Sequence, residues 1–416
     1  MSVQVVPRSA FRVRRCEREC MDQQELVRRS QAHICRTYAR YDIALVRGSG
    51  CRVWDTAGRE YLDFVGGIAV CNLGHCPADL SEVLYRQAQE LVHVSNLYYT
   101  EPQVRLAEAL TSSSFADKVF FCNSGAEANE AAIKLARKHS RDHHGRGRYG
   151  IITMKGSFHG RTMATLSATG QEKVHHGFEP LMDGFRHVDF NRLEAVAEAI
   201  DETTCAVLVE PIQGEGGVRV PDPQYLAGLR RLCSEHDLLL IYDEIQVGMG
   251  RTGRLFSHQH ENVAPDVMTL AKALGNGLPI GAMLTTDSVA EVFTPGSHAS
   301  TFGGTPLVTA VACEVFRQIS RDSFLEQVQR VGGYFREQLQ GLQHRYSFIR
   351  EVRGRGLILG MELDFPGKDI MQRCQDRGFL INCTVDTVLR FVPPLIVTAE
   401  EVDRLIEGLN DIFAHL

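Results

Sequence analysis

LLLIYDEIQVGMGRTG, residues 238–253, decides the fold. The residues from Leu238 to Tyr242 are apolar or aromatic without alternation, Asp243 ends the run, and a glycine-rich turn follows. A strand that alternates buries one face, whereas a run that is apolar throughout is buried on both, as in a mainly parallel sheet covered by helices. Asp243 is then a carboxylate at the end of a buried strand, where an unpaired charge is costly. It needs a cationic partner, and a protonated ring nitrogen would serve. Glu244 and Gln246 follow in the same turn, and adjacency alone leaves a carboxylate pair for hydrolysis open.

Outward from this stretch the pattern repeats in KVFFC (118–122), YGIITM (149–154), FRHVDF (185–190), CAVLVE (205–210), DVMTL (266–270) and IGAMLTT (280–286). Helical stretches such as LAGLRRLCSEH (226–236) separate these runs, which is the signature of βαβ units in an open α/β layer. Toward the end, VTAEEVDRLIEGLNDIFAHL (397–416) places Thr398 and Glu401 at capping-box spacing and keeps Val402, Leu405, Ile406, Leu409, Ile412 and Phe413 on one helical face. The predicted organisation is a disordered extension over 1–30, a segment 31–75 contributing to a small domain, a large domain over 76–309 and the small domain over 310–416.

Composition narrows the function. With 416 residues, 44% hydrophobic, 23% charged and a net charge of −6, the chain is a soluble two-domain protein and not a nucleic-acid or membrane-surface binder. No stretch approaches ~18 consecutive apolar residues, so no membrane-spanning helix is predicted. The twelve cysteines are scattered without two tight pairs, which predicts free buried thiols in a reducing, cytoplasmic compartment and no metal centre. The first twenty residues carry five arginines and nothing acidic before Glu17. They read as a dispensable extension, with Met21 an alternative start.

Chemistry-bearing residues sit at four predicted strand ends, where open parallel sheets bind ligands. After KVFFC comes Asn123-Ser124-Gly125-Ala126 and a helix with Ser124 and Glu127 at capping-box spacing. Gly125 and Ala126 leave N–H groups uncovered at the helix start, a site for an anion such as phosphate or else a plain strand–turn–helix. After YGIITM come Phe158, His159 and Arg161: a ring to stack on a planar cofactor and a guanidinium to clamp a carboxylate, or a core ring and a surface arginine. Asp243 is the third. The fourth is Lys272 in LAKALGNGLPIGA (270–282), one of seven lysines among 45 basic residues, with no other charge from 268 to 282. A desolvated lysine is more readily the neutral amine that attacks a carbonyl; the alternative is a lysine snorkelling to the surface. Phosphate cradle, ring stacker, carboxylate for a ring nitrogen and amine for an aldehyde together match pyridoxal 5′-phosphate part by part.

The motifs NSGAEANEAAIKLAR, FHGRTMATLSATG, EPIQGEGGV, DEIQVGMGRTG, LAKALGNGLPIGA, STFGGTPL and LRFVPPLIVT follow one another in the order of the class III aminotransferases, which the chain resembles from about residue 35 to its end. The resemblance implies a fold type I α/β architecture, with a large domain on a mainly parallel seven-stranded sheet, a smaller α+β domain, and homodimers with shared active sites. It implies Lys272 as the Schiff-base lysine and Asp243 as partner of the pyridinium nitrogen, with Gln246 near the phenolic oxygen and Phe158 over the ring. Gly125 and Ala126 would bind the phosphate, completed by Thr301 from the other subunit. Arg161, with Ser300 close by, would clamp a substrate carboxylate, and Tyr38 would lie near it. Glu215 and Arg390 match a switchable pair that lets one site take an amine donor and then glutamate or 2-oxoglutarate. The reaction implied is transamination between N2-acetyl-L-ornithine and 2-oxoglutarate, with N-succinyl-diaminopimelate as a further donor. Ornithine, succinylornithine, 4-aminobutyrate and acetyl-lysine donors stay open, as does a glutamate-semialdehyde aminomutase. The chain departs from the family pattern at Thr305, where Asn is usual, and at Ala299, where Gly is common.

Overall fold

The computed structural model describes residues 21–416. Its strands, in chain order, begin with β1 (Leu45–Ser49), β2 (Arg52–Asp55) and β3 (Glu60–Asp63). Next come β4 (Lys118–Cys122), β5 (Gly150–Met154), β6 (Phe185–Val188), β7 (Thr204–Val209), β8 (Leu239–Asp243), β9 (Val267–Leu270) and β10 (Gly281–Thr285). The last are β11 (Ile349–Arg355), β12 (Ile358–Leu363), β13 (Phe379–Leu380), β14 (Asn382–Thr384) and β15 (Val388–Phe391).

The seven runs read as buried strands form one seven-stranded sheet in the order β4-β10-β9-β8-β7-β5-β6. Every residue of β5, β7, β8, β9 and β10 is buried, the two-sided burial that continuous apolar runs require. Neighbours from β9 to β6 are parallel, while β10 is antiparallel to both β9 and β4. Only β10 is therefore reversed, and β4 runs with the others. The helix Gly125–His144 covers the sheet through small side chains, burying Ala128, Ala131, Ala132 and Ala136 together with Leu135.

A second core joins the two ends of the chain. β11-β12-β15-β14 form an antiparallel sheet, and β1-β2-β3 pair with β13, which lies parallel to β3. Leu62 and Phe64 pack in one cluster with Phe335, Met361, Phe391, Leu405 and Leu409. The final helix spans Ala399–Phe413 with the Thr398/Glu401 capping box formed. Its apolar face is buried except Ile406, which packs at the cluster's margin. Glu401 also pairs with Arg52 of β2 at 2.8 Å, tying that helix to the amino-terminal sheet.

Of the span read as an extension, residues 1–20 lie outside the described residues, and a helix occupies Gln23–His33. Asp22 caps it, accepting from the Glu25 N–H at 2.8 Å, and Glu25 pairs with Arg28 and Arg29. No residue of this helix is buried, so local capping and i,i+3/i,i+4 pairs account for it. Among the described residues no helix is long and apolar enough to cross a membrane.

Candidate active site

Because β4, β5, β7, β8 and β9 share a direction, their carboxyl ends open on one edge of the sheet. The segments leaving them line a cavity of about 470 Å³. At the end of β4, the Ser124 hydroxyl accepts from the Glu127 N–H at 3.2 Å and starts the helix Gly125–His144. Gly125 and Ala126 stand in its first turn on the cavity wall, where helical N–H groups have no intrahelical acceptor. A Cβ at Gly125 would come 2.8 Å from the Ile245 side chain, so glycine lets this turn meet the one after β8.

After β5, Phe158 enters the cavity wall with its N–H donating to Glu210 Oε2 at 3.1 Å. The Arg161 guanidinium carbon lies 5.6 Å from the Phe158 ring centroid. β8 delivers Asp243 into a closed polar network. Its Oδ2 accepts from Asn129 Nδ2 at 2.7 Å and lies 2.8 Å from His159 Nδ1, while Oδ1 accepts from the Ile245 N–H at 3.1 Å. Asn129 is fixed in turn, accepting from Thr269 Oγ1 at 2.8 Å and donating to the His159 carbonyl. Lys272 follows β9 by two residues with φ of +41°, a left-handed conformation uncommon outside glycine. Such strain is characteristic of functional positions.

Arg390, on β15, stands behind the cavity at 1% side-chain exposure. Its Nη1 donates to Glu215 Oε1 at 2.6 Å and to Gln246 Oε1 at 3.2 Å, and Gln246 Nε2 donates to Glu215 at 3.3 Å. The charges of the site follow from these neighbours. Burial lowers Lys272 to about 8, aided by Arg390 and opposed by the carboxylates of Glu215, Asp243 and Glu210. Glu215 is half-buried, which disfavours its charge, yet Arg390 and then Lys272 hold it below the ordinary range. Glu210 is pushed the other way, first by burial and then by the charge of Asp243, well above the ordinary carboxylate range.

A carboxylate locked at one strand end, an amine of lowered pKa at the next and an arginine–glutamate pair beside them suit amino-group chemistry on a bound carbonyl cofactor. Comparison with known proteins agrees. The family model "Aminotransferase class-III" matches residues 34–413. The acetylornithine aminotransferase of Caldanaerobacter subterraneus subsp. tengcongensis is 51% identical over 385 residues, covering 92% of this chain and 98% of that one. An acetylornithine/succinyldiaminopimelate aminotransferase from Photorhabdus laumondii is 47% identical over 375 residues, covering 89% and 93%. Among solved structures, the ornithine aminotransferase of Toxoplasma gondii ME49 superposes with a TM-score of 0.92 at 34% identity, covering 96% and 97%.

The chain belongs to the class III aminotransferases.

Enzymes of this family depend on pyridoxal 5′-phosphate, and the residues of this aminotransferase fit that group. The uncovered helix start suits a phosphate, the Phe158 ring a planar heterocycle, the buried Asp243 a protonated ring nitrogen, and Lys272 an aldehyde. His159 Nε2, buried without a hydrogen-bond partner, leaves this corner of the network incomplete within the protein alone.

The cavity of the aminotransferase brings together Gly125, Ala126, Phe158, Arg161, Glu215, Asp243, Gln246 and Lys272. Ser300 and Thr301 line a separate surface cavity of about 890 Å³. Ser300 still adjoins the first one, its hydroxyl accepting from Asn123 Nδ2 at 3.1 Å. Tyr38 is not brought to the site: it is 74% exposed, in a groove with Arg36, Arg40 and Tyr41. The segment carrying it is one long stretch of exposed residues, so no packing directs it toward the cavity. Sequence reasoning passed over Asn129, Glu210 and the contact of His159 with Asp243. Glu210 carried the same signal as Asp243, a carboxylate closing the apolar run CAVLVE. Asn129 lies one helical turn after Gly125 among alanines, a spacing that places it on the cavity side of the helix.

Proposed function

We propose that this aminotransferase moves the terminal amino group of N2-acetyl-L-ornithine to 2-oxoglutarate, giving N-acetyl-L-glutamate 5-semialdehyde and L-glutamate, a step of arginine biosynthesis. The observation that carries the reading is the Glu215–Arg390 pair at 2.6 Å beside the lysine, because a switchable cation is what two unlike substrates require of one site. An intramolecular mutase needs no such gate. The 51% identity to an acetylornithine aminotransferase, against 34% to an ornithine enzyme, favours the acylated donor. The double name of the Photorhabdus laumondii relative supports N-succinyl-diaminopimelate as a second donor.

The bound cofactor supplies an aldehyde that takes up the amino group and a conjugated ring that takes up the electron pair of the substrate carbon. Everything else falls to the chain. The Gly125 and Ala126 N–H groups would hold the phosphate and Phe158 would cover the ring. Asp243, oriented by Asn129 and His159, would keep a proton on the ring nitrogen, and Gln246 would serve the ring's oxygen. Lys272 Nζ would hold the aldehyde. Once released, it takes the proton from the substrate carbon and returns one as general base and acid, a task suited to an amine lowered to about 8. Arg161 clamps the donor's α-carboxylate. When glutamate or 2-oxoglutarate enters, Glu215 withdraws and Arg390 takes the α-carboxylate while Arg161 takes the distal one.

The same reading makes the enzyme a cytoplasmic homodimer. Leu97, Tyr98, Tyr99 and Phe302 are exposed on the face that carries Thr301, with Tyr99 at 100%, an apolar patch suited to a second copy. Thr301 would then reach the phosphate of the partner's site, with Ser300 beside the substrate. A donor panel at fixed 2-oxoglutarate tests the substrate: acetylornithine should exceed ornithine, 4-aminobutyrate and succinyl-diaminopimelate in kcat/KM. A clear preference for any of the others overturns the assignment.

A further inference from the structure

Arg390 has a third partner that differs in kind from Glu215. Asn382 on β14 stands directly opposite Arg390 in the β14–β15 register, and its Oδ1 accepts from Arg390 Nη2 at 2.9 Å. The guanidinium is thus held from two sides, Nη1 by Glu215 and Gln246 and Nη2 by Asn382. The two sides sit on different backbones. Glu215 rides on a turn between Gly214 and Gly216-Gly217, with Gly217 at φ of +101°, and its side chain is 28% exposed. Asn382 is fixed in a paired strand whose neighbour is the strand of Arg390 itself.

We propose that Asn382 is the stationary, neutral half of the gate: it holds Arg390 in place while Glu215 leaves, and its lack of charge keeps Arg390 available to a substrate carboxylate. This rests on the reading of Arg390 as the 2-oxoglutarate-binding cation. The physical argument is one of charge and mobility. A substrate carboxylate binds Arg390 strongly only when the guanidinium is not already neutralised, so the competing carboxylate must be able to move away. A carboxylate on a ladder strand, one register position from Arg390, could not withdraw and would repel the incoming anion. An aliphatic residue would leave Nη2 buried and unpaired, since Arg390 is 1% exposed. Asparagine meets both demands, accepting the hydrogen bond without adding charge. Asn382 is therefore a positioning and selectivity residue for the dicarboxylate half of the cycle.

The test compares the wild-type holoenzyme with Asn382→Ala and Asn382→Asp at pH 8, measuring calorimetric binding of the unreactive dicarboxylate glutarate and the two half-reactions separately. The expected affinity order for glutarate is Asn above Ala above Asp, with Asn382→Asp weakened by roughly tenfold or more. The 2-oxoglutarate half-reaction should fall more than the amine half-reaction. A hydrogen bond that served only structure would give a different order, because aspartate has the same shape and accepts from Nη2 equally well. Asn382→Asp binding glutarate as tightly as wild type, or more tightly than Asn382→Ala, overturns the inference. Arg390→Ala is the control for the reading beneath it: if that variant binds glutarate as wild type does, the gate assignment fails and not merely the role of Asn382.

Discussion

The cofactor end of the cavity and the substrate gate are built on opposite plans. At the cofactor end, Asp243, Lys272, Phe158 and Gly125 all leave strands of one sheet, and Asp243 is locked by Asn129, His159 and the Ile245 N–H. At the gate, Arg390 comes from the small antiparallel sheet and meets Glu215 across 175 positions of sequence. One end is rigid because its carboxylate must stay in place through every turnover. The other joins a cation to a carboxylate on a glycine turn, as the proposed function asks of a cation that serves two substrates in alternation. The difference is one of backbone: the locked carboxylate ends a buried strand, and the one opposite Arg390 sits in a glycine turn.

The comparison breaks most severely at the rigid end. Lys272→Ala should lower turnover by about 10³-fold or more, since it removes the group proposed to move the proton at the substrate carbon. It should also abolish covalent labelling of the holoenzyme by borohydride, and retention of wild-type turnover would remove Lys272 from the mechanism. Asp243→Asn keeps the shape of its network but not the charge, and should cost about 10²–10³-fold in kcat while cofactor still binds. An unchanged rate would leave Asp243 a packing residue.

At the gate the loss should be selective. Arg390→Ala should slow the 2-oxoglutarate half-reaction beyond the amine half-reaction by roughly 30-fold or more in single-turnover measurements. Equal damage to both would mean that the pair is structural. The smallest effect links the two ends. Burial lowers Lys272 to about 8, so the neutral amine, and with it the rate at which apoenzyme captures cofactor, should rise as pH increases through about 8. The Glu215 carboxylate favours the ammonium and so raises the Lys272 pKa. Glu215→Gln should therefore shift this midpoint to lower pH, and a shift upward would contradict the arrangement of charges.

Legibility divided along the same line. The seven strands were readable because burial on both faces leaves continuous apolar runs, and the residues that end them stand out as charges where charge is costly. The one reversed strand, β10, was not readable, since apolar content carries no direction. Asn129 and His159 are ordinary polar residues in sequence and acquire their role only through contact with Asp243. Resemblance alone points to Tyr38, and the segment around it is exposed. The helix Gln23–His33 rests on capping and charge pairs and buries no residue, so no core-facing stripe marks it in the sequence.

Taken alone, the sequence determined the α/β class, the strand ends that carry chemistry and the cofactor those residue types suit. Each of these follows from short-range rules: burial patterns, turn chemistry and the cost of a charge beside apolar residues. The tertiary structure decided which of those residues share a cavity, that the Glu210 carboxyl is pushed up and that of Glu215 held down, and that Arg390 is held by Asn382 as well as by Glu215. Those facts depend on distances between residues far apart in the chain, and on desolvation, which exists only once the chain has folded around the site.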